Sequence, residues 1–368
     1  MKLNNIDYST LTTKELLELY VEYKEKAKLY DTKQMAAKIA LNSAYGACGN
    51  RFFKYYSLEN ASAVTVTGQI IIQTAASAVN KYLNRILKTN DVDYVCYIDT
   101  DSLYIRLDTL VDKMFPSDQS DINKITNFID KFVNEKIEHE IDNALEQFRL
   151  KLNHRQNNIS FKRESIADKA IFKSKKRYFM NVIDNEGVRY NTPELKIMGI
   201  EIVRSSTPRF CKRELKKALR IILEGTNKDL KDFIRQCRKD FKLSPFEDIS
   251  FPRGVSNIDK FTNEDDVHIK GTPLHVRGAA CYNKLIKQHN LSYRPLITNG
   301  SKTKYIYIRE PNHIRSNVIS FIDDIPQEFD IVRYIDYRTQ FDKSFIEPLK
   351  SITDIIGWNI NTDGLTFT

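Results

Sequence analysis

The stretch that decides the fold is Asp91-Val92-Asp93-Tyr94-Val95-Cys96-Tyr97-Ile98-Asp99-Thr100-Asp101-Ser102-Leu103-Tyr104-Ile105-Arg106-Leu107. Aromatic and β-branched residues flank the polar tetrad Asp99 to Ser102 on both sides, which predicts a β-hairpin with the tetrad at its tip. Such a tip brings two carboxylates into one small volume. A pair of this kind suits Mg²⁺, a hard cation that takes one or two protein carboxylates and leaves room for substrate phosphates. Two such ions activate a hydroxyl and steady the leaving oxygens of an in-line displacement. An Asp-x-Asp also arises by chance in any charged chain, and Asp91-Val92-Asp93 is a second copy here. The pair therefore means little without its surroundings.

Upstream of the hairpin, Thr12 and Glu15 form a capping box, and apolar residues recur at helical spacing to about Ala47. This predicts one long helix or two stacked ones. A second helix is expected from about Ser62 to Leu87. Downstream, the pattern returns to helices between about Asp121 and Leu152, and the segment Ile159 to Asp184 then looks like consecutive strands. Helices and strands mix without βαβ regularity, so an α+β fold is expected. The clearest boundary is Ser205-Ser206-Thr207-Pro208, with Thr207 as a cap, Pro208 in the first turn and Gly225 at the end of the next helix. That helix is strongly basic, which suits a phosphate backbone or a solvated face equally well.

Two further clusters keep the hairpin company. Lys38, Asn42 and Tyr45 recur at offsets of four and three and so share one helix face. They span roughly 10 Å, about the distance from a triphosphate to the edge of its base pair. Lys38 offers a point charge to phosphates, and Tyr45 a flat wall; a plain polar helix face has the same pattern. In Phe172-Lys173-Ser174-Lys175-Lys176-Arg177-Tyr178 four basic residues fall within five positions, on a predicted strand. Such a strand reaches a duplex minor groove, where every base pair presents acceptors. It also serves as edge protection.

The 368 residues exceed what one core usually serves, so two or three domains are expected. Lys and Arg number 57 against 48 Asp and Glu, a net charge of +9 that favours a polyanionic partner or simply aids solubility. No run of sequence has the form of a secretory signal or approaches the roughly 20 apolar residues of a membrane span. A soluble, intracellular protein without a membrane partner is therefore expected. Five scattered cysteines and six histidines show no metal-ligand spacing, and the cysteines are expected as ordinary reduced thiols.

Taken together, these motifs resemble the family B DNA polymerases, and they occur in the family's order. Lys38 to Gly46 resembles the fingers motif K-x3-N-S-x-Y-G, Tyr97 to Ser102 the palm motif Y-G-D-T-D-S, and Lys175 to Tyr178 the primer-gripping K-K-R-Y. Leu195 to Glu201 with Ser205 to Pro208, and His275-Val276-Arg277-Gly278 with Tyr282-Asn283, resemble the T-even-type bacteriophage replicative polymerases in particular. The resemblance implies part of a right-hand architecture, with a partial fingers region over 1–47, a palm over 48–206, and a thumb with its tail over 207–368. It implies Asp101 as the principal ligand of two Mg²⁺ ions with Asp99 beside it. Lys38, Asn42 and Tyr45 would contact the dNTP and nascent pair; Lys175, Lys176, Arg177 and Tyr178 the primer duplex; and His275 and Arg277 would belong to the enclosing thumb. Glu164 would be an accessory carboxylate.

The sequence departs from that pattern in two ways. Ile98 stands where most relatives have Gly, which lets backbone approach the primer end. Nothing resembles the other catalytic motif, D-x-x-S-L-Y-P-S, whose aspartate bridges both metals in the family, nor the D-x-E of the exonuclease, nor the first fingers helix. The expectation is a DNA-directed DNA polymerase subunit, one product of a polymerase divided at the fingers and inactive until an amino-terminal subunit supplies the missing aspartate and the exonuclease. Its partners would be primer-template DNA, dNTP and, through the tail ending in Leu365-Thr366-Phe367-Thr368, a sliding clamp, in the cytoplasm of a bacterial host if phage-encoded. The competing reading is a catalytically inactive fragment that binds primer-template DNA. A reverse transcriptase would show an adjacent Asp-Asp pair, which this sequence lacks.

Overall fold

The capping box forms as the sequence predicts. The Thr12 amide donates to a Glu15 carboxylate oxygen at 2.8 Å, and the Glu15 amide to the Thr12 hydroxyl at 3.4 Å. From it springs one uninterrupted helix, α1 (Thr13–Cys48), rather than two. This and all that follows come from a computed structural model that describes residues 10–116, 121–262 and 269–360. The chain divides into two compact units, Met1–Gln119 with Phe132–Lys162, and Ser120–Lys131 with Arg163–Thr368.

In the first unit, α1 buries none of its residues. The chain turns at Gly49 and re-enters a helix at α2 (Leu58–Leu87), capped by Ser57 and so starting earlier than the apolar run suggests. Ile72, Ala75, Ala76, Val79, Leu83 and Leu87 form its buried stripe, at the spacing of one helix face. By length and composition α2 is apolar enough to cross a membrane, whereas the sequence led to no such span being expected. Six of its residues are buried, along the stripe above, and two of its asparagines meet the hairpin. Strands β1 (Val95–Asp99) and β2 (Ser102–Ile105) pair antiparallel, followed by α3 (Asp108–Met114). Helix α4 (Ile122–Phe132) lies in the second unit except for its last residue, and α5 (Glu138–Lys151) packs on α2 through Ile141 and Leu145.

Two asparagines one turn apart on α2 tie the hairpin to the helix. The Asn80 side-chain oxygen accepts from the amides of Tyr94 at 2.8 Å and Val95 at 3.3 Å, and its amide nitrogen donates to Asp93 at 2.8 Å. Asn84 donates to the Val92 carbonyl at 2.8 Å and accepts from the Val92 amide at 3.0 Å. Side chains thus imitate the strand that Val92–Val95 lacks on that side, satisfying backbone groups that burial would otherwise strand. Asp93, in the second Asp-x-Asp, also accepts from the Val95 amide at 3.0 Å. It is a structural residue, as chance occurrence of the motif allows.

The second unit holds two three-stranded antiparallel sheets. In the first, β4 (Arg177–Asn185) lies between β3 (Ser165–Ser174) and β5 (Val188–Met198), and Tyr178 to Asp184 of this central strand are all buried. Next come α6 (Arg209–Glu224), α7 (Asn227–Leu243) and the short α8 (Phe246–Ile249). The second sheet, β6 (Phe251–Gly254), β7 (Lys302–Tyr307) and β8 (Val318–Phe321), is interleaved with α9 (Ile258–Phe261) and α10 (Leu274–Gln288), and α11 (Tyr337–Phe341) and α12 (Glu347–Thr353) complete the described chain. Aromatic contacts at 5.0–5.3 Å between ring centres run Phe210–Phe241–Phe341–Phe345 through one core, which extends from Phe179 to Ile360. The core crosses the boundary expected at Ser205–Pro208. There Thr207 does not cap α6: its hydroxyl donates to the Glu201 carbonyl at 2.5 Å, and Pro208 takes the cap position. Gly225 ends the helix as predicted.

A charged knot fixes the first sheet. Asp184, 2% exposed, pairs with Arg163 and with Arg189 at 3.2 Å, and Arg163 also reaches Asp130 of α4 at 2.6 Å. Burial pushes the Asp184 carboxyl up, but the Gly187 amide and the Arg163 guanidinium more than offset this and hold it below the ordinary value of 3.8. A depressed carboxylate contributes stability above its unfolded pKa and loses it as pH falls through the folded one.

Three substitutions test these contacts. Arg163→Ala, which leaves the buried Asp184 carboxylate to Arg189 and the Gly187 amide, should cost about 1.5–3 kcal/mol, read from the fluorescence of the single Trp358 in the same unit; Asp184→Asn should flatten the fall in stability below about pH 4. Asn80→Ala should cost about 1–3 kcal/mol through its unmet strand amides, and hydrogen exchange should speed up at Tyr94 and Val95 before it does in the second unit.

Candidate active site

The hairpin register is Tyr97↔Tyr104, Ile98↔Leu103 and Asp99↔Ser102, which leaves Thr100-Asp101 as a two-residue turn. Thr100 has φ +56, at the position where such turns usually place Gly. A β-branched residue in the left-handed region is held there against its preference. The Asp101 amide donates back to the Asp99 carbonyl at 2.7 Å, the Ser102 hydroxyl to the same carbonyl at 3.1 Å, and the Thr100 hydroxyl to the Asp99 carboxylate at 3.1 Å. These bonds close the tip on itself. Asp101 is exposed and Asp99 half-buried.

Alternation puts Tyr97, Asp99, Ser102 and Tyr104 on one face of the hairpin and Ile98 and Leu103 on the other. The Tyr97 and Tyr104 rings lie 5.5 Å apart and stiffen the carboxylate's face. Ile98 therefore stands off the face that carries Asp99. Its branched side chain suits the strand.

In the same unit, Lys38, Asn42 and Tyr45 follow one another along a single face of α1, all exposed, with Tyr45 at 48%. Between them, the Ser43 hydroxyl is spent on the Ile39 carbonyl at 2.7 Å. The three side chains are presented to solvent on a helix that makes no core here.

The basic motif of the second unit differs from its expected form. Ser174 pairs with Arg177, so Lys175-Lys176 is a two-residue turn between β3 and β4 rather than part of a strand, and Lys176 has φ +60. Both lysines are exposed. Arg177 instead pairs with Glu201, and Tyr178, 4% exposed, packs on Phe172 at 5.3 Å. Arg177 and Tyr178 therefore hold the hairpin, and the two lysines alone form its outward tip. Lys173 lies between Ser351 at 2.5 Å and Glu201 at 3.9 Å; burial and the neighbouring Arg177 and Arg204 push its ammonium down. Glu164 sits one residue before β3, exposed and bonded to Lys196 at 2.8 Å.

His275 and Arg277 open α10. The Ser320 hydroxyl donates to the His275 carbonyl at 2.8 Å, and Arg277 donates to Asn317 at 2.6 Å. Burial, then the charge of Arg253, pushes the His275 imidazole below its ordinary value. The basic face of α6 is partly neutralised, since Arg213 at 2.5 Å and Lys217 at 3.0 Å both pair with Glu214. The tail segment expected to meet a clamp, Leu365 to Thr368, lies outside the described residues.

Asp99 and Asp101 offer hard oxygen donors from a closed turn, with Asp101 open to solvent, a donor set that fits Mg²⁺ with phosphates and water completing its shell. Among the described residues no group of three or more acidic, His or Cys side chains forms a metal site.

The family model for DNA polymerase family B matches residues 11–317. The chain is similar to the DNA-directed DNA polymerase of Enterobacteria phage T4, 32% identical over 363 residues, covering 95% of this chain and 40% of the relative. It is 34% identical over 358 residues to that of Escherichia phage RB69, covering 93% and 39%. To DNA polymerase 1 of Aeropyrum pernix it is 22% identical over 343 residues, covering 90% and 29%. The chain thus spans about two fifths of the length of the phage relatives it matches. With the motifs, their order and a match over most of its length in agreement, the chain belongs to DNA polymerase family B.

Proposed function

We propose that this chain supplies one part of a DNA-directed DNA polymerase site: the hairpin carboxylates that hold divalent cations, the helix face that meets an incoming dNTP, and basic surfaces that hold primer-template DNA. The observation that carries this reading is the turn Asp99-Thr100-Asp101-Ser102, whose strained φ at Thr100 and internal hydrogen bonds set two carboxylates at one tip. Strain of this kind persists where the surrounding structure over-determines it, and it gathers at functional turns.

Asp101 and Asp99 would hold Mg²⁺. When bound, the ions lower the pKa of the primer hydroxyl and neutralise charge on the departing pyrophosphate. Lys38 meets the triphosphate as a point charge, Asn42 adds a hydrogen bond, and Tyr45 lies flat along the nascent pair. The exposed lysines Lys175 and Lys176 hold the primer duplex by charge, which is indifferent to sequence; His275 and Arg277 add to that grip. Glu164 is an accessory carboxylate of the same site. By these roles, 1–47 serves as part of the fingers, 48–206 as palm and 207–368 as thumb with its tail.

A two-ion site on these carboxylates leaves room, beside phosphates and water, for a further aspartate from another polypeptide. We place that aspartate, together with an exonuclease, on an amino-terminal partner subunit. We also place the chain in the bacterial cytoplasm and its tail on a sliding clamp.

Primer extension with Mg²⁺ tests the reading. The chain mixed with the polypeptide carrying the remaining palm motif should extend a primer, and the chain alone should not. Asp101→Asn in the mixture should lower the rate by at least about 10²-fold while leaving duplex affinity within about twofold. Full extension by the Asp101→Asn mixture would refute the catalytic role and leave a DNA-binding fragment. Robust extension by the chain alone would refute the need for a partner.

A further inference from the structure

Gly199 lies directly under the lysine turn. Its φ is +62, and a Cβ placed on it would stand 2.0 Å from the Lys176 carbonyl oxygen, 3.1 Å from the carbonyl carbon and 3.3 Å from Cγ of Arg177. The obstacle is backbone, so no side-chain rotation relieves it. Two residues further on, Glu201 takes Arg177 as its ion-pair partner, with Lys173 at 3.9 Å and Arg204 at 3.8 Å, while its carbonyl accepts from Thr207. The turn Lys175-Lys176 is therefore held twice from the same segment, through its main chain at Gly199 and through Arg177 at Glu201. Lys176 itself has φ +60, so the turn's shape is one that the sequence of the turn does not favour by itself.

We infer that Gly199 is a positioning residue for the two tip lysines: its missing side chain is the space into which the Lys176 carbonyl fits, and that fit sets where Lys175 and Lys176 meet the phosphate backbone. The inference rests on the proposed DNA-holding role of those lysines. Any side chain at 199 displaces the Lys176 peptide and swings the neighbouring ammonium groups out of register with phosphates spaced by the duplex.

Gly187 provides an internal control. It sits at φ +86 in the turn between β4 and β5 of the same sheet, with nothing within 4 Å of a built Cβ. Alanine there meets the same unfavourable backbone conformation without touching the lysine turn.

The test is fluorescence anisotropy of a labelled primer-template duplex with the 368-residue chain across a salt series, together with thermal denaturation. Each of Lys175→Ala and Lys176→Ala should reduce the slope of log K against log salt by about one. Gly199→Ala should reduce it by a similar amount, and Gly199→Ala with Lys176→Ala should lose less than the sum, because both act on one contact. Gly187→Ala should lower the melting temperature and leave the slope unchanged. If Gly199→Ala fails to fold, Glu201→Gln carries the test, with the same loss of slope expected from the turn's other tether. A full slope in Gly199→Ala or Glu201→Gln, against a reduced slope in the lysine variants, overturns the inference and leaves the DNA-binding reading standing. An unchanged slope in the lysine variants, or no salt-dependent binding by the unaltered chain, overturns both.

Discussion

The first unit depends on the hydrogen bonds that two amide side chains of α2 make with an incoming strand. Val92 to Val95 has one pairing side occupied by helix rather than by sheet, and a helix's own backbone groups are already committed to its ladder. Asn80 and Asn84, one turn apart, offer donors and acceptors at about the spacing a strand presents. The hairpin is thereby fixed to a rigid 30-residue element that is itself packed on α5. A turn carrying two like charges would otherwise be free to splay. The base of the hairpin that carries the carboxylates is thus tied to α2.

A like turn stands in the second unit with different chemistry. The lysine turn is also a two-residue loop with a non-glycine residue at positive φ, but it is held from outside itself, by the close approach at Gly199 and the Arg177–Glu201 pair. In both places exposed charged side chains stand on a turn: the carboxylate turn is closed by its own hydrogen bonds on a hairpin tied to α2, and the lysine turn is braced by the segment that follows β5. Rigid support under an exposed, charged tip is what an electrostatic site needs, because its donors must not reorganise when charge develops.

Much of this was legible in the sequence. The capping box at Thr12, the hairpin around Asp99, the helix face of Lys38, Asn42 and Tyr45, and the end of α6 at Gly225 all follow from periodicity and turn chemistry acting over a few residues. The clamp of Asn80 and Asn84 was not, since asparagines on a helix carry no sign of the strand they will meet. Nor was the fate of the basic motif: four adjacent charges look alike in a sequence, and only the register Ser174↔Arg177 separates two outward lysines from an arginine turned to Glu201 and a buried tyrosine. Thr207 failed as a cap because the Glu201 carbonyl takes its hydroxyl. The Asp184 knot escaped because its partners come from three separated stretches.

The proposed function has the carboxylates of the hairpin turn take hold of divalent cations. Iron-directed cleavage addresses this at the atomic neighbourhood concerned. Fe²⁺ replaces Mg²⁺ in the assembled polymerase with primer-template and dNTP, ascorbate and peroxide generate hydroxyl radicals at the metal, and the cut positions are sequenced. Scission centred on Asp99 to Ser102, suppressed by excess Mg²⁺ and lost in Asp101→Asn, is the predicted result. Cleavage elsewhere, or cleavage at the turn that survives Asp101→Asn, would contradict the account.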